Sequence, residues 1–149
     1  MALRQIRIFG DEILRKKSRE VEVIDEKIRQ ILDDMAETMY NTENGGGLAA
    51  PQIGILKRLV VIDMGEGLIK LVNPKIIRQE GSQEVIEGCL SNPNIFGKLL
   101  RPKKVIVQAL NEKGEEIILT VTGDLAKCFC HEIDHLEGIL FTDLVLEYI

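Results

Sequence analysis

The stretch DLAKCFCHEIDHLEG, residues 124–138, has the periodicity of a helix with one apolar side. Leu125, Phe129 and Leu136 fall on that side, and Gly138 is a natural stop. Inside it stands His131-Glu132-Ile133-Asp134-His135. Residues four apart lie one above the other on a helix, so both imidazoles can reach one metal ion. Glu132 adjoins the first ligand, placed to take a proton from a water whose pKa the metal lowers toward about 7. The chemistry this predicts is metal-assisted hydrolysis of an amide-type bond. Asp134 is assigned a structural role. Cys128, three residues before His131, shares roughly its face, and Cys130 points away toward packing.

The chain has 2 His residues, both in this motif, so a third ligand must be another residue type. A catalytic site needs that ligand and keeps one position open. Beyond Gly138 the carboxylates are Asp143 and Glu147, close to Ile149. Cys89 is the better candidate, in Glu87-Gly88-Cys89-Leu90-Ser91, where a thiolate in a turn-like stretch suits a soft ligand. A lone Cys is otherwise a small buried hydrophobe.

Further upstream, Ile24, Ile28, Ile31, Leu32, Met35 and Met39 predict an amphipathic helix over 24–40, with Asp25 as its N-cap. It should end before Gly45-Gly46-Gly47. Strands are expected at Leu59 to Ile62, at Leu68 to Val72 and Lys75 to Gln79 on either side of Asn73-Pro74, at 105–110, and at Glu115 to Val121 after an Asn111 to Gly114 turn. Strands and helices do not alternate as βαβ units. The predicted fold is α+β, with mostly antiparallel sheets packed around the helix that carries the His-Glu-x-x-His motif, in one catalytic domain over 1–149.

The 149 residues can bury a real core, and with aromatics at 4% that core must be built from Ile, Leu and Val. A net charge of −5 argues against nucleic acid as a partner. The basic run Arg101 to Lys104 is read as a solvated strand entry. No signal peptide shows in Met1 to Gly10, and no stretch has the length of a membrane span, so a cytoplasmic protein is expected. Three cysteines do not suggest a disulfide framework. The glycine run lacks the Lys-Ser/Thr of a phosphate loop. It suits close approach of a peptide backbone added like a strand. From the residues alone, Gln52 reads as a surface turn residue after Pro51.

Three segments, taken together, resemble the peptide deformylases: Gly45-Gly46-Gly47-Leu48-Ala49-Ala50-Pro51-Gln52-Ile53-Gly54, Glu87-Gly88-Cys89-Leu90-Ser91, and His131-Glu132-Ile133-Asp134-His135-Leu136-Glu137-Gly138. Their order and spacing fit, and Ile8 to Lys16 with the following helix is similar to the family's opening. The resemblance implies removal of the formyl group from N-formylmethionine on nascent bacterial or organellar chains. It implies one divalent ion held by Cys89, His131 and His135, usually ferrous iron, with zinc, nickel and cobalt also fitting. Glu132 would be the general acid and base. The Gln52 amide and the Leu90 backbone N–H would steady the oxyanion, and Gly46, Gly47, Glu87 and Cys128 would meet the substrate. The partners it implies are N-formylmethionyl peptides, with passing proximity to the ribosome and with neither nucleic acid nor membrane.

Four positions depart from the family pattern. Gly46 stands where an apolar side chain usually lines the methionine pocket, Asn92 where an apolar residue is usual, Asn94 where Gly is frequent and Asp124 where Leu is common. Gly46, Asn92 and Asp124 predict a less apolar or less rigid cleft and weaker discrimination for the Met side chain. Many relatives run longer than Ile149, so a minimal form without a tail-based ribosome contact is expected. Two rivals stand beside the deformylase reading. A general metallopeptidase is disfavoured by Cys89 and Gln52, and a non-catalytic peptide or metal binder by the intact Glu132.

Overall fold

The computed structural model describes residues 2–42 and 45–149. Helix α1 (Glu26–Tyr40) starts at its sequence signal: the Asp25 carboxylate accepts from the Ile28 N–H at 3.0 Å, satisfying a donor that a helix start leaves unpaired. The strands in chain order are β1 (Gly47–Ala49), β2 (Leu59–Ile62), β3 (Ile69–Glu80), β4 (Gln83–Cys89), β5 (Asn92–Arg101), β6 (Lys104–Leu110), β7 (Glu116–Thr122) and β8 (Glu147–Tyr148). Helix α2 (Gly123–Leu136) lies between β7 and β8.

Five strands form one sheet in the order β1-β2-β3-β6-β7, and three form another in the order β4-β5-β8. Every pairing between these strands is antiparallel. The unbroken apolar run of β2 follows from its position, with both faces covered. Val60 and Ile62 join Leu71, Val105 and Val107 against Phe129, Ile133 and Leu136 of α2. Leu59 and Val61 turn the other way, joining Leu48 and Val72 against Ile28, Leu32, Met35 and Met39 of α1. Successive strand side chains point to opposite faces, so one sheet carries a helix on each side.

The sequence suggested a break at Asn73-Pro74. Instead β3 runs through it, with the register shifting between Val72 and Lys75. Asn73 adopts φ 53°, and its side chain pairs with the backbone of Val21. Asn73 Oδ1 accepts from Val21 N at 2.8 Å and Nδ2 donates to Val21 O at 2.9 Å.

The N-terminal segment ties distant parts together. Arg7 N donates to Gln52 O at 2.6 Å, Phe9 N to Ser91 O at 2.8 Å and Ser18 N to Leu136 O at 2.8 Å. Helix α2 ends at Gly138, where φ is 75° and a Cβ would stand 2.5 Å from Arg15 O. Only glycine satisfies both conditions. Among the described residues, no helix is long and apolar enough to cross a membrane.

Candidate active site and metal centre

One stripe of α2 faces a cleft of about 600 Å³ between the two sheets, with Cys128, His131 and Glu132 in its wall. These residues and His135 follow three- and four-residue spacing, the same rule that places Phe129, Ile133 and Leu136 in the core. The helix is therefore buried on nearly all sides, and its polar stripe is as enclosed as its apolar one.

Cys89 comes from the far side of the cleft, at the end of β4. The ladder between β4 and β5 shifts register between Glu87 and Cys89. Bulges of this kind re-aim a side chain. Here Phe96 packs so closely on Gly88 that an added Cβ would lie 2.7 Å from its ring. The thiol ends 3.4 Å from His135 Nε2. The donor atoms of Cys89, His131 and His135 all lie within 4.8 Å of one another.

These residues fit a divalent ion. Sulfur and imidazole nitrogen form a donor set of intermediate softness. His131 Nδ1 lies 2.7 Å from Glu87 Oε1, which leaves Nε2 to serve as the ligand atom, the usual carboxylate–histidine support of a metal site. Burial raises the Glu87 pKa, but the hydrogen bonds from Arg101 and His131 outweigh it and hold the carboxyl at about 2. Burial pushes the His131 imidazole down, and the negative surroundings of Glu132, Cys89 and Glu87 overturn that and raise it well above its ordinary value. The pocket thus favours positive charge. His135 is driven well below its ordinary value, by burial first and then by His131 and Arg101, so it is held in the neutral form that binds metal. Its Nδ1 has no hydrogen-bond partner among the described residues.

Glu132 is buried, and its Oε1 also lacks a partner among the described residues. Burial, with smaller repulsion from Glu87 and Asp134, raises its pKa to about 7 against the pull of His131 and Arg101. A carboxyl poised near neutrality can both accept and donate a proton. The backbone of Gly47 leaves Glu132 its space: a Cβ there would lie 2.7 Å from Glu132 Oε2 and 3.0 Å from Cys128 Sγ.

Gln52 is not on the surface, being 1% exposed. Its Oε1 accepts from Ala49 N at 2.9 Å. That bond fixes the amide orientation and turns Nε2 toward Ser91 Oγ at 3.2 Å and Cys89 Sγ at 3.5 Å. Leu90, half-buried, follows Cys89 in the turn to β5 and lines the cleft with Gly46, Gly47, Glu87 and Cys128.

Arg101 corrects an expectation. It is not a solvated strand entry but 5% exposed. It donates to Glu87 through Nε at 2.6 Å and Nη2 at 2.9 Å, and to Asp134 through Nη1 at 2.6 Å. Only the basic run containing it marked it in the sequence, and that run pointed the wrong way. Both Glu87 oxygens are engaged, one by Arg101 and one by Arg101 and His131 together. Asp134 pairs with Arg101, and Cys130 packs in the core.

The departures also find their places. Asn94 adopts φ 66°, a left-handed conformation that Asn tolerates better than most side chains. Asp124 is exposed in the first turn of α2, where a negative charge suits the helix dipole. It is not in the cleft wall that includes Asn92 and Gly46.

A sequence model of the family described as "Polypeptide deformylase" matches residues 3–147. The "Peptide deformylase 2" of Clostridium acetobutylicum is 74% identical over 149 residues, covering 100% of this chain and 99% of the relative. The "Peptide deformylase" of Acetivibrio thermocellus is 60% identical, covering 100% of this chain and 87% of the relative. Among solved structures, the peptide deformylase of Thermotoga maritima superposes with a TM-score of 0.94 at 40% identity, covering 97% of this chain and 99% of that one. The enzyme of Ehrlichia chaffeensis in complex with actinonin gives 0.94 at 39% identity, covering 97% and 90%.

Proposed function

The chain belongs to the polypeptide deformylase family, and from that premise we propose how its own residues carry out the reaction. It is a metal-dependent hydrolase that removes the formyl group from the N-terminal methionine of newly made proteins and releases formate. The observation that carries the residue assignment is the convergence of Cys89, His131 and His135 on one point beside Glu132 and Gln52.

Cys89, His131 and His135 would hold a divalent ion. When bound, a divalent metal acts as a Lewis acid and lowers the pKa of water toward about 7. Glu132 takes the proton from the attacking water and returns it to the leaving amine nitrogen. The Gln52 Nε2 amide and the Leu90 backbone N–H donate to the oxygen of the formyl group as it gains negative charge, and one such donor is worth about 10²–10³ in rate. Gly46 and Gly47 let the substrate backbone approach β1, which among the described residues is an edge strand with one side unpaired. Cys128 closes the pocket for the first side chain. Glu87, with its carboxylate engaged by Arg101 and His131, acts as a positioning residue for His131.

We assign ferrous iron as the native ion on the family resemblance. The mixed sulfur and nitrogen donor set also accepts zinc, nickel or cobalt. Residues 1–149 act as one catalytic domain in the cytoplasm, near ribosomes that present formylated chains. The free thiols of Cys89, Cys128 and Cys130 are at home in that reducing compartment.

The test is formate release from formyl-Met-Ala-Ser by enzyme purified without oxygen and loaded in parallel with ferrous iron, zinc, nickel or cobalt. Turnover is expected, highest with iron. A bound ion without turnover in all four preparations would favour the peptide-binding rival. Cleavage of the unformylated peptide would favour the metallopeptidase.

A further inference from the structure

Gly46 brings no side chain into the cleft it lines, yet the space beside it is filled. A Cβ built there would lie 2.8 Å from Met64 Sδ, the one atom within 4 Å apart from its chain neighbours among the described residues. Met64 comes from another element, the connection between β2 and β3, and lines the cleft together with Gly46, Ile86 and Cys128.

Three contacts hold that connection in place. Asp63 N donates to Gly46 O at 3.0 Å, which sets the residue before Met64 directly against Gly46. Asp63 Oδ1 accepts from Gly65 N at 2.8 Å. Asp63 Oδ2 accepts from Tyr40 Oη–H at 2.6 Å, which fastens the connection to the end of α1. The backbone on both sides of the contact is therefore fixed, and the Met64 side chain is the part free to adjust.

We infer that Met64 is a specificity-determining residue: its thioether supplies the wall of the first-side-chain pocket beside Gly46, a position that itself offers no side chain. The inference rests on the deformylase reading above. A wall of this kind keeps the pocket apolar, so a glycine at 46 does not by itself relax selectivity. It also makes the wall adaptable, because methionine has three rotatable bonds and a polarizable sulfur, and here it is 42% exposed. Positions 46 and 64 compete for one volume, and a side chain is accommodated at one only when the other is small.

The experiment measures kcat/KM for formyl-Met-Ala-Ser and formyl-Ala-Ala-Ser in the parent, Met64→Ala, Met64→Leu, Gly46→Ile and the Gly46→Ile/Met64→Ala double variant, with thermal midpoints alongside. Met64→Ala is expected to reduce the preference for Met over Ala by about 10-fold, the usual scale for apolar contacts in a pocket. The loss should fall mainly on KM, as for binding shared by ground and transition states. Met64→Leu should keep the preference. Gly46→Ile should impair the parent and restore the preference in the Met64→Ala background, with midpoints near the parent's in all variants that turn over. A preference unchanged by Met64→Ala, or equal damage from Gly46→Ile with and without Met64, would overturn the inference. Failure of the parent to release formate would overturn the functional reading itself, and the inference with it.

Discussion

Arg101 grips Glu87 with two hydrogen bonds, at 2.6 and 2.9 Å, in an interior where both side chains are 5% exposed or less. Removing one member of such a pair leaves the other charge buried and unmatched, at a cost of about 3–5 kcal/mol. Arg101→Met should therefore lower the thermal midpoint by about 6–20 °C, at about 2–4 °C per kcal/mol for a chain of this size. Glu87→Gln should weaken metal binding by about 10–100-fold, read by competition with a chromogenic chelator. Metal affinity equal to the parent's in Glu87→Gln would remove Glu87 from the support of His131.

Glu132→Gln keeps the shape of the side chain and removes its capacity for proton transfer. Turnover should fall by about 10²–10⁴, with one metal still bound per chain by elemental analysis. Retained turnover would mean that another group moves the proton.

Gln52→Glu preserves the oxygen that accepts from Ala49 N and replaces the amide donor that faces Cys89. A fall of about 10²–10³ in kcat is expected, larger than any change in KM. A change confined to KM would make Gln52 a substrate-binding residue only.

Gly47→Ala places a methyl group 2.7 Å from Glu132 Oε2 and 2.9 Å from its Cγ. Glu132 must move, and a misplacement of this size can cost about 100-fold in rate. The three atoms nearest to it belong to Glu132 and Cys128, not to a metal ligand. Reduced kcat with unchanged metal content is the expected signature, and equal loss of metal would place the damage elsewhere.

Asp34 couples stability to acid. Burial raises its pKa, but Gln30, the Ala2 N–H and Arg4 together bring it below the ordinary value. A carboxylate lowered on folding stabilises the protein fully above its unfolded pKa of about 3.9, and loses that contribution as pH falls through the folded value. Asp34→Asn should destabilise at neutral pH and flatten the fall in stability below about pH 4. Denaturant midpoints measured across that range decide it, and parallel curves for parent and variant would exclude Asp34 as a source of the acid sensitivity.

The parts of the molecule that were legible in the sequence are those where burial and chemistry agree. Helix α1 and strand β2 announce themselves because their buried faces are mainly apolar, and helix α2 because its apolar residues recur at helical spacing. The β4–β5 hairpin does not, because its pattern is mixed: Val85 and Leu99 are buried, but so are charged residues. Glu87 and Arg101 are buried there, while Ile86 and Leu100 are 52% and 54% exposed. Charged residues inside and apolar ones outside erase the alternation that marks a strand. The site shows the same divide. His131, Glu132 and His135 are readable from spacing along one helix. Arg101 acts through Glu87 and Asp134, 14 and 33 residues away, and Met64 acts across a fold that brings it to Gly46. Neither separation leaves a local signature.

The N-terminal segment, hydrogen-bonded to Gln52, Ser91 and Leu136, has a consequence for how the chain is made. Its first residues leave the ribosome early, yet Ser18 waits for a partner 118 positions later. Contacts of such sequence separation slow folding, because the entropy of closing the loop is lost before the contact forms. Cys89 can reach no imidazole until α2 has been synthesised, so the half-made chain carries a ligand without a centre. Assembly of the site is therefore a late event, and a protein whose substrates are newly made polypeptides becomes competent only once its own residues 123–136 have emerged.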